Sequence, residues 1–583
     1  MVIKQVRRSV CALSAAALAI SLVGCGGSQG GTVQTKSSGA TGSVGSTTTT
    51  AASGKTSKGS SGYASLPDSD VKYGEKNQQT YPLSTDGATL TMWYPIGDSM
   101  GTLPDPNDGE FWQWYEKKTG VHVNFIVPAT GTEADSFQLL FASDDMPDIV
   151  YSQPSRYMYK DGEDASITDG YFEDISKDFD LCPNYVSWLR SDTKAGHAAF
   201  TDSGKMYGMW GIWKTLQGDA LADQGIAIRK DFLDKVGMDV PTTYSEWEKV
   251  LTAFKDQLGI EAPFYTSKYG IDDGEFMAGY DTAPYWYQRN GKVCYGPMDD
   301  QYKDYLSLLH DWYEKGLLDQ NFATRQSTGI KADDDMMLND KVGALVDYGT
   351  RLSDTYVTRG ATNKDFYLVG VQQPKKDGAD AVDPAWRNYS SGSDNIHGMV
   401  ANVNANSKNK ELAIRWLDGL YAADVYLNAN YGIESEEGTV WKKADDGDPN
   451  HRIGIYDFRY HNPNGDDSAT VLVKYWSKNP PIRVEGAQIE QADENKQEGY
   501  KTWSKYPATN YLPTRLTMTV DEGTEYSGMY TDIETYVQEM NVKFIMGQES
   551  LNNYDAYREK LKSMGIEECQ KLQQAALDRY NAR

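Results

Sequence analysis

Cysteine is scarce in this chain, with five among 583 residues, at 11, 25, 182, 294 and 569. Two of these lie near the N-terminus, so the body keeps an odd number of thiols far apart in sequence, and no disulfide framework follows. Histidine is nearly as rare. The six histidines form no His-x-x-x-His pair and the cysteines have no ligand spacing, which argues against a zinc enzyme. Positive charge is also short, with 57 Lys and Arg against 83 Asp and Glu and a net charge of −26. Nucleic acids and anionic lipid need a basic face, so this balance argues against both as partners. Beyond residue 25 no apolar run approaches the roughly 18 residues of a membrane span, so the chain does not read as a channel or permease subunit.

What is present begins with a basic start (Lys4, Arg7, Arg8), an apolar run from Val10 to Val23, and the close Leu22-Val23-Gly24-Cys25. That order reads as a secretory signal over 1–24 ending at a lipid-attachment cysteine, Cys25. From Gly26 to Gly62 nearly every residue is Gly, Ser, Thr or Ala, which describes a flexible tether with a span of about 30–35 Å. Anchor and tether are assigned to 25–80. Inside the tether, Gly26-Gly27-Ser28-Gln29-Gly30 mimics a nucleophile elbow and Gly54-Lys55-Thr56 a phosphate loop. Neither is set between a strand and a helix, so both are low-complexity accidents. The expected location is the outer face of the cell membrane, lipid-anchored, in the manner of a Gram-positive lipoprotein or facing a periplasm.

The remaining body exceeds 500 residues, too many for one ordinary core, so two lobes are expected. Thr89 to Trp93 reads as a buried strand, Phe111 to Thr119 as a helix ended by Gly120, and Val121 to Val127 as an alternating strand. A helix carrying Phe137, Leu139, Leu140 and Phe141 and a strand at Asp148 to Tyr151 follow. Strand, helix, strand, helix, strand begins a doubly wound α/β sheet, whose ligands bind beyond the carboxyl ends of the strands. That rule selects Trp93, Tyr94, Tyr151 and Ser152. A second α/β region opens at Gly225 to Ile228 and includes helices at Ser245 to Leu258 and Tyr302 to Lys315. Its strand at Lys341 to Val346 ends in Asp347 and Tyr348, two further crevice candidates. The last 50 residues read as helices, the first starting at the capping box Thr531-Asp532-Ile533-Glu534, and they are expected to brace the lobes. Tyr (40) and Trp (14) outnumber Phe (15), and rings with a polar tip suit stacking on sugars as well as wet interfaces.

Several segments resemble the extracellular solute-binding lipoproteins of ABC importers, in particular the large family-1 group of oligosaccharide and alginate-oligosaccharide binders. They are Glu116 to Val121, Leu140 to Val150, Gly204 to Gly208, Ile228 to Gly237, Lys408 to Asp418, and Lys543 to Gly547 with Ala575 to Tyr580. The resemblance covers nearly the whole body. It implies a type II periplasmic-binding fold: a first lobe at 81–212 and 392–515, a second at 213–391, and bracing helices at 516–583. The crossings then fall near Tyr207 to Trp213 and Ser390 to Val400, which adds Trp210 and Trp213 as hinge-side candidates and Trp286 and Trp386 as weaker ones. Alginate-type relatives carry a calcium loop after Ala-Phe-Lys. Here Ala253-Phe254-Lys255 runs on into Asp256-Gln257-Leu258-Gly259 without spaced oxygen ligands, so no metal or other cofactor is expected.

The implied function is capture of a carbohydrate, without chemical change, by a monomer that delivers it to the membrane subunits of an ABC permease. Two alternatives remain open on sequence. One is a tethered glycosidase or lyase using paired carboxylates, for which Asp144-Asp145, Asp272-Asp273 and Asp333-Asp334-Asp335 offer only solvated loops or helix starts. The other is a receptor that feeds a sensor kinase.

Overall fold

A computed structural model describes residues 62–68, 77–96, 103, 105–142, 145–154, 156–160, 162–213, 222, 224–325, 333–379, 395–433, 440–443, 455–459, 473–477, 479–483, 494–505 and 510–583. The signal, Cys25, the tether to Ser61, Asp144 and Trp386 lie outside the described residues, as does the side chain of Trp213. The described strands are β1 (Ala88–Trp93), β2 (Val121–Ile126), β3 (Ile149–Ser152), β4 (Met209–Trp213), β5 (Gln224–Arg229), β6 (Ala262–Phe264), β7 (Trp286–Arg289), β8 (Lys292–Tyr295), β9 (Val342–Tyr348), β10 (Leu368–Gly370), β11 (Ile396–Val403), β12 (Val440–Lys443), β13 (Ile455–Arg459) and β14 (Ile482–Arg483).

The first lobe is built on a sheet of order β14-β4-β11-β3-β1-β2. β1 runs parallel to β2 and β3, and β11 lies antiparallel between β3 and β4. The helix Glu110–Thr119 buries Phe111, Trp112 and Tyr115 and ends at Gly120 in the left-handed region (φ 70°). Only glycine fits there, because a Cβ would stand 2.1 Å from the Ser84 carbonyl oxygen. In the helix Glu133–Ala142, Phe137 is buried but Leu139 is 67% exposed, so the apolar face expected from the sequence is narrower than its composition.

The second lobe is a sheet of order β10-β5-β9-β6. Its helix Tyr244–Leu258 starts in a capping box, with Thr243 and Glu246 closing reciprocally on each other's backbone N–H, and buries Trp247, Val250, Leu251 and Phe254. The helix ends at Gly259 (φ 68°), whose N–H donates to Lys255 while that of Ile260 donates to Phe254. The stretch after Ala253-Phe254-Lys255 is therefore a helix cap and not a loop.

Two sequence expectations are corrected near the C-terminus. The long helix starts at Val520 and not at Thr531: Thr519 and Glu522 form the capping box, and Thr531 sits within the helix, donating to the Ser527 carbonyl. Its stripe Ile533, Val537, Met540 and Phe544 enters the second lobe's core beside Trp247 and Trp312, so this helix belongs to that lobe. The helix Glu494–Ser504, expected in the first lobe, lies on the second sheet instead, where the Trp503 indole donates to the Ile226 carbonyl at 3.0 Å. The last helix, Ile566–Ala582, reaches back to the first lobe, where Arg579 and Arg583 pair with Asp202.

Beside Arg583, the short turn Gly62–Ser65 is fastened to the first lobe. Tyr63 stacks on His197 with ring centroids 4.5 Å apart. It lies so close over Gly196 that a Cβ there would meet its ring at 2.3 Å. Leu66 is buried, and Arg190 donates to the carbonyls of Leu66 and Pro67.

Candidate ligand-binding crevice

The connections between the sheets determine which edges face each other. β4 ends at Trp213 on the carboxyl edge of the first sheet, and the chain next enters β5 at Gln224, opposite Tyr348 at the carboxyl end of β9. The return leaves β10 at Gly370, beside Ala227, and enters β11 at Ile396, opposite Ile212 near the end of β4. β14 ends at Arg483 opposite Trp213, and the next described helix lies on the second sheet. The first two passages each join the carboxyl edge of one sheet to that of the other, which makes the space between those edges the candidate crevice. The first passage begins after Trp213. Tyr207 to Trp210, expected at the crossing, stand inside the first lobe, where Tyr207 and Trp210 are fully buried.

On the first lobe the sequence candidates are walls and not open platforms. Trp93 is completely buried, its indole N–H donating to Ser136 Oγ at 3.1 Å. Tyr94 sits among the rings of Trp112, Phe125 and Tyr151. Tyr151 donates its hydroxyl to the Asn479 carbonyl at 3.1 Å, because the segment before β14 folds across this edge. Ser152 Oγ donates to Asn402 Oδ1 at 2.6 Å, and Asn402 in turn donates to the Tyr207 carbonyl. Trp210 has the Arg515 guanidinium 3.9 Å over its ring, and Arg515 is held by both carboxylate oxygens of Glu163. The ring face a sugar would use is already occupied. Trp286 lies in the hairpin β7–β8 under the long C-terminal helix and donates to the Tyr526 hydroxyl at 2.8 Å.

The second lobe offers more to a ligand. Asp347 is buried beneath the end of β9, accepting from the Tyr356 hydroxyl at 2.7 Å and from the Tyr348 N–H at 2.8 Å. Burial, against the pull of Tyr356 and Arg351, raises its carboxyl to about 6. Its role is to fix the strand end that carries the half-buried Tyr348. Beyond β6, Tyr265, Thr266 and Ser267 lead into the short helix Lys268–Asp272, which Ser267 caps. Tyr269 on this helix is 45% exposed and shares an electrostatic environment with Tyr348, Asp273 and Glu275. Sequence reasoning missed this cluster. Its signal was the glycine-stopped helix, the apolar triplet Ala262-Pro263-Phe264 and the polar turn that follows, which repeat the strand-to-helix pattern seen in the first lobe.

The acidic runs at 272–273 and 333–335 contribute structural contacts. Asp333 caps the helix Asp334–Leu338, Asp334 pairs with Arg359 at 2.6 Å, and Asp272 accepts from Asn541. Among the described residues no three His, Cys, Asp or Glu side chains come together as a metal site.

No family model matches the chain. Lipoprotein LipO of Bacillus subtilis is 26% identical over 256 residues, which cover 41% of this chain and 46% of LipO. The match thus spans less than half of that relative. The fructooligosaccharide ABC transporter substrate-binding protein FusA of Streptococcus pneumoniae is 22% identical over 560 residues, covering 90% of this chain and 95% of FusA. Among solved structures, an extracellular solute-binding protein from Bifidobacterium longum subsp. infantis superposes with a TM-score of 0.66 at 17% identity, over 85% of this chain and 98% of that one. The chain thus shares the two-lobed α/β fold of that extracellular solute-binding protein and is similar, over most of its length, to the substrate-binding protein FusA.

Proposed function

We propose that the chain captures a carbohydrate, an oligosaccharide, in the crevice between the lobes and hands it unaltered to the membrane subunits of an ABC permease. What carries this reading is the pair of passages between carboxyl edges, with Tyr269 and Tyr348 on one of those edges, in a chain alignable with FusA over 90% of its length. Stacking on tyrosine and hydrogen bonding to the hydroxyls would hold the sugar, and contact with both lobes would favour a closed form for the permease to recognise. Cys25 is the proposed lipid anchor, holding a monomer at the outer face of the membrane.

The test is a thermal-shift screen of the full chain against kestose, milk and alginate oligosaccharides and monosaccharides, with the sugar recovered afterwards. A binder at 100 times its Kd stabilises by about 2.7 kcal/mol. Recovery of intact sugar is expected, whereas cleavage would overturn the proposal.

A further inference from the structure

The carboxyl edge of the second sheet holds a buried acid that capture alone leaves without a role. Glu275 closes the turn after the helix Lys268–Asp272, its N–H donating to the Gly270 carbonyl at 3.0 Å. Its carboxyl group lies flat on Gly270, so that a Cβ there would stand 2.5 Å from the carboxyl carbon. Thr266 Oγ1 donates to Oε2 at 2.6 Å, and the Tyr305 hydroxyl donates to the Glu275 carbonyl at 2.6 Å. The next residue, Phe276, is held in the left-handed region (φ 70°), a conformation that persists only where its surroundings enforce it. The groups facing the carboxyl are Thr266 from the segment after β6, Asp273 from the same turn, Tyr269 from the short helix and Tyr305 from the helix Asp300–Glu314. Among the described residues no cation meets it.

We propose that Glu275 is the positioning residue of the crevice, clamped between Thr266 and Gly270 so that the turn presents Tyr269 to the ligand. This rests on the capture reading. Burial raises the Glu275 carboxyl from 4.5 to about 8, with Thr266 opposing. In the unfolded chain the group ionises above its ordinary value, whereas in the fold it keeps its proton. The stability cost therefore grows from about pH 4.5 up to about pH 8, where the folded group ionises too. Above that, a charge appears beside Asp273 with nothing to neutralise it, and the turn loosens. If only the neutral form presents Tyr269, apparent affinity follows the neutral fraction and falls about tenfold between pH 7 and pH 9.

Two readouts on the full chain test this. Hydrogen exchange over 266–276, corrected for intrinsic rates, is expected to lose protection above pH 8 in the wild type and to keep it in Glu275→Gln. Unchanged protection in both proteins overturns the clamp, whatever the chain binds. Calorimetric titration with kestose is expected to weaken about tenfold from pH 7 to pH 9 in the wild type and to stay flat in Glu275→Gln. Parallel wild-type and Glu275→Gln profiles overturn the positioning role. Failure of every sugar of the panel to bind at pH 7, with protection behaving as expected, overturns the capture reading and leaves the clamp standing.

Discussion

Single residues divide into those whose environment is local and those governed by distant chain. Gly120, Gly237 and Gly259 end helices in the left-handed region, and their role follows from apolar stripes a few residues away. Trp210 is the opposite case. Its neighbour in space is Arg515, about 300 residues on in the sequence, and no pattern around position 210 reveals that its ring face is covered. Tyr151 is likewise capped by Asn479. Trp210→Ala is therefore expected to act on stability, costing about 3–5 kcal/mol in chemical denaturation, as large-to-small core changes do. Tyr269→Ala should instead leave the melting temperature within about a degree of wild type and weaken oligosaccharide binding at least tenfold, about 1.4 kcal/mol. Calorimetry on the two variants separates a wall from a platform, and equal effects on stability would refute the distinction.

At the level of elements, periodicity located most strands and helices of both sheets, because alternation and apolar stripes are themselves the signals that burial selects. Starts were harder to locate. Thr519-Val520-Asp521-Glu522 and Thr531-Asp532-Ile533-Glu534 satisfy the same capping pattern, and the earlier one is used. The tertiary reason is Arg579, which donates to both carboxylate oxygens of Glu522. Thr519→Ala should thus cost about 1 kcal/mol, whereas Thr531→Ala, at an exposed mid-helix site, should be nearly neutral. Equal losses in denaturant titrations would count against this assignment. Truncation at Glu525 removes Phe544, Tyr554 and Leu561 from the second lobe's core, and is expected to leave an insoluble chain and not a specific binder with altered preference.

For the whole molecule, the two-lobed α/β organisation was legible from chain length and from the strand–helix alternation. The relation of the carboxyl edges was not, since it depends on where two passages leave one sheet and enter the other. Those passages make closure the natural response to a ligand that touches both lobes. Small-angle scattering of the full chain should show a smaller radius of gyration at saturating oligosaccharide, and identical curves with and without a bound sugar would contradict closure.

The turn from Gly62 to Leu66 ties the start of the body to one lobe only. Tyr63, wedged over Gly196 against His197, binds the start of the body to the first lobe. Residues 62–66 would therefore travel with the first lobe in any relative motion of the two, and a reporter placed there would follow that half alone.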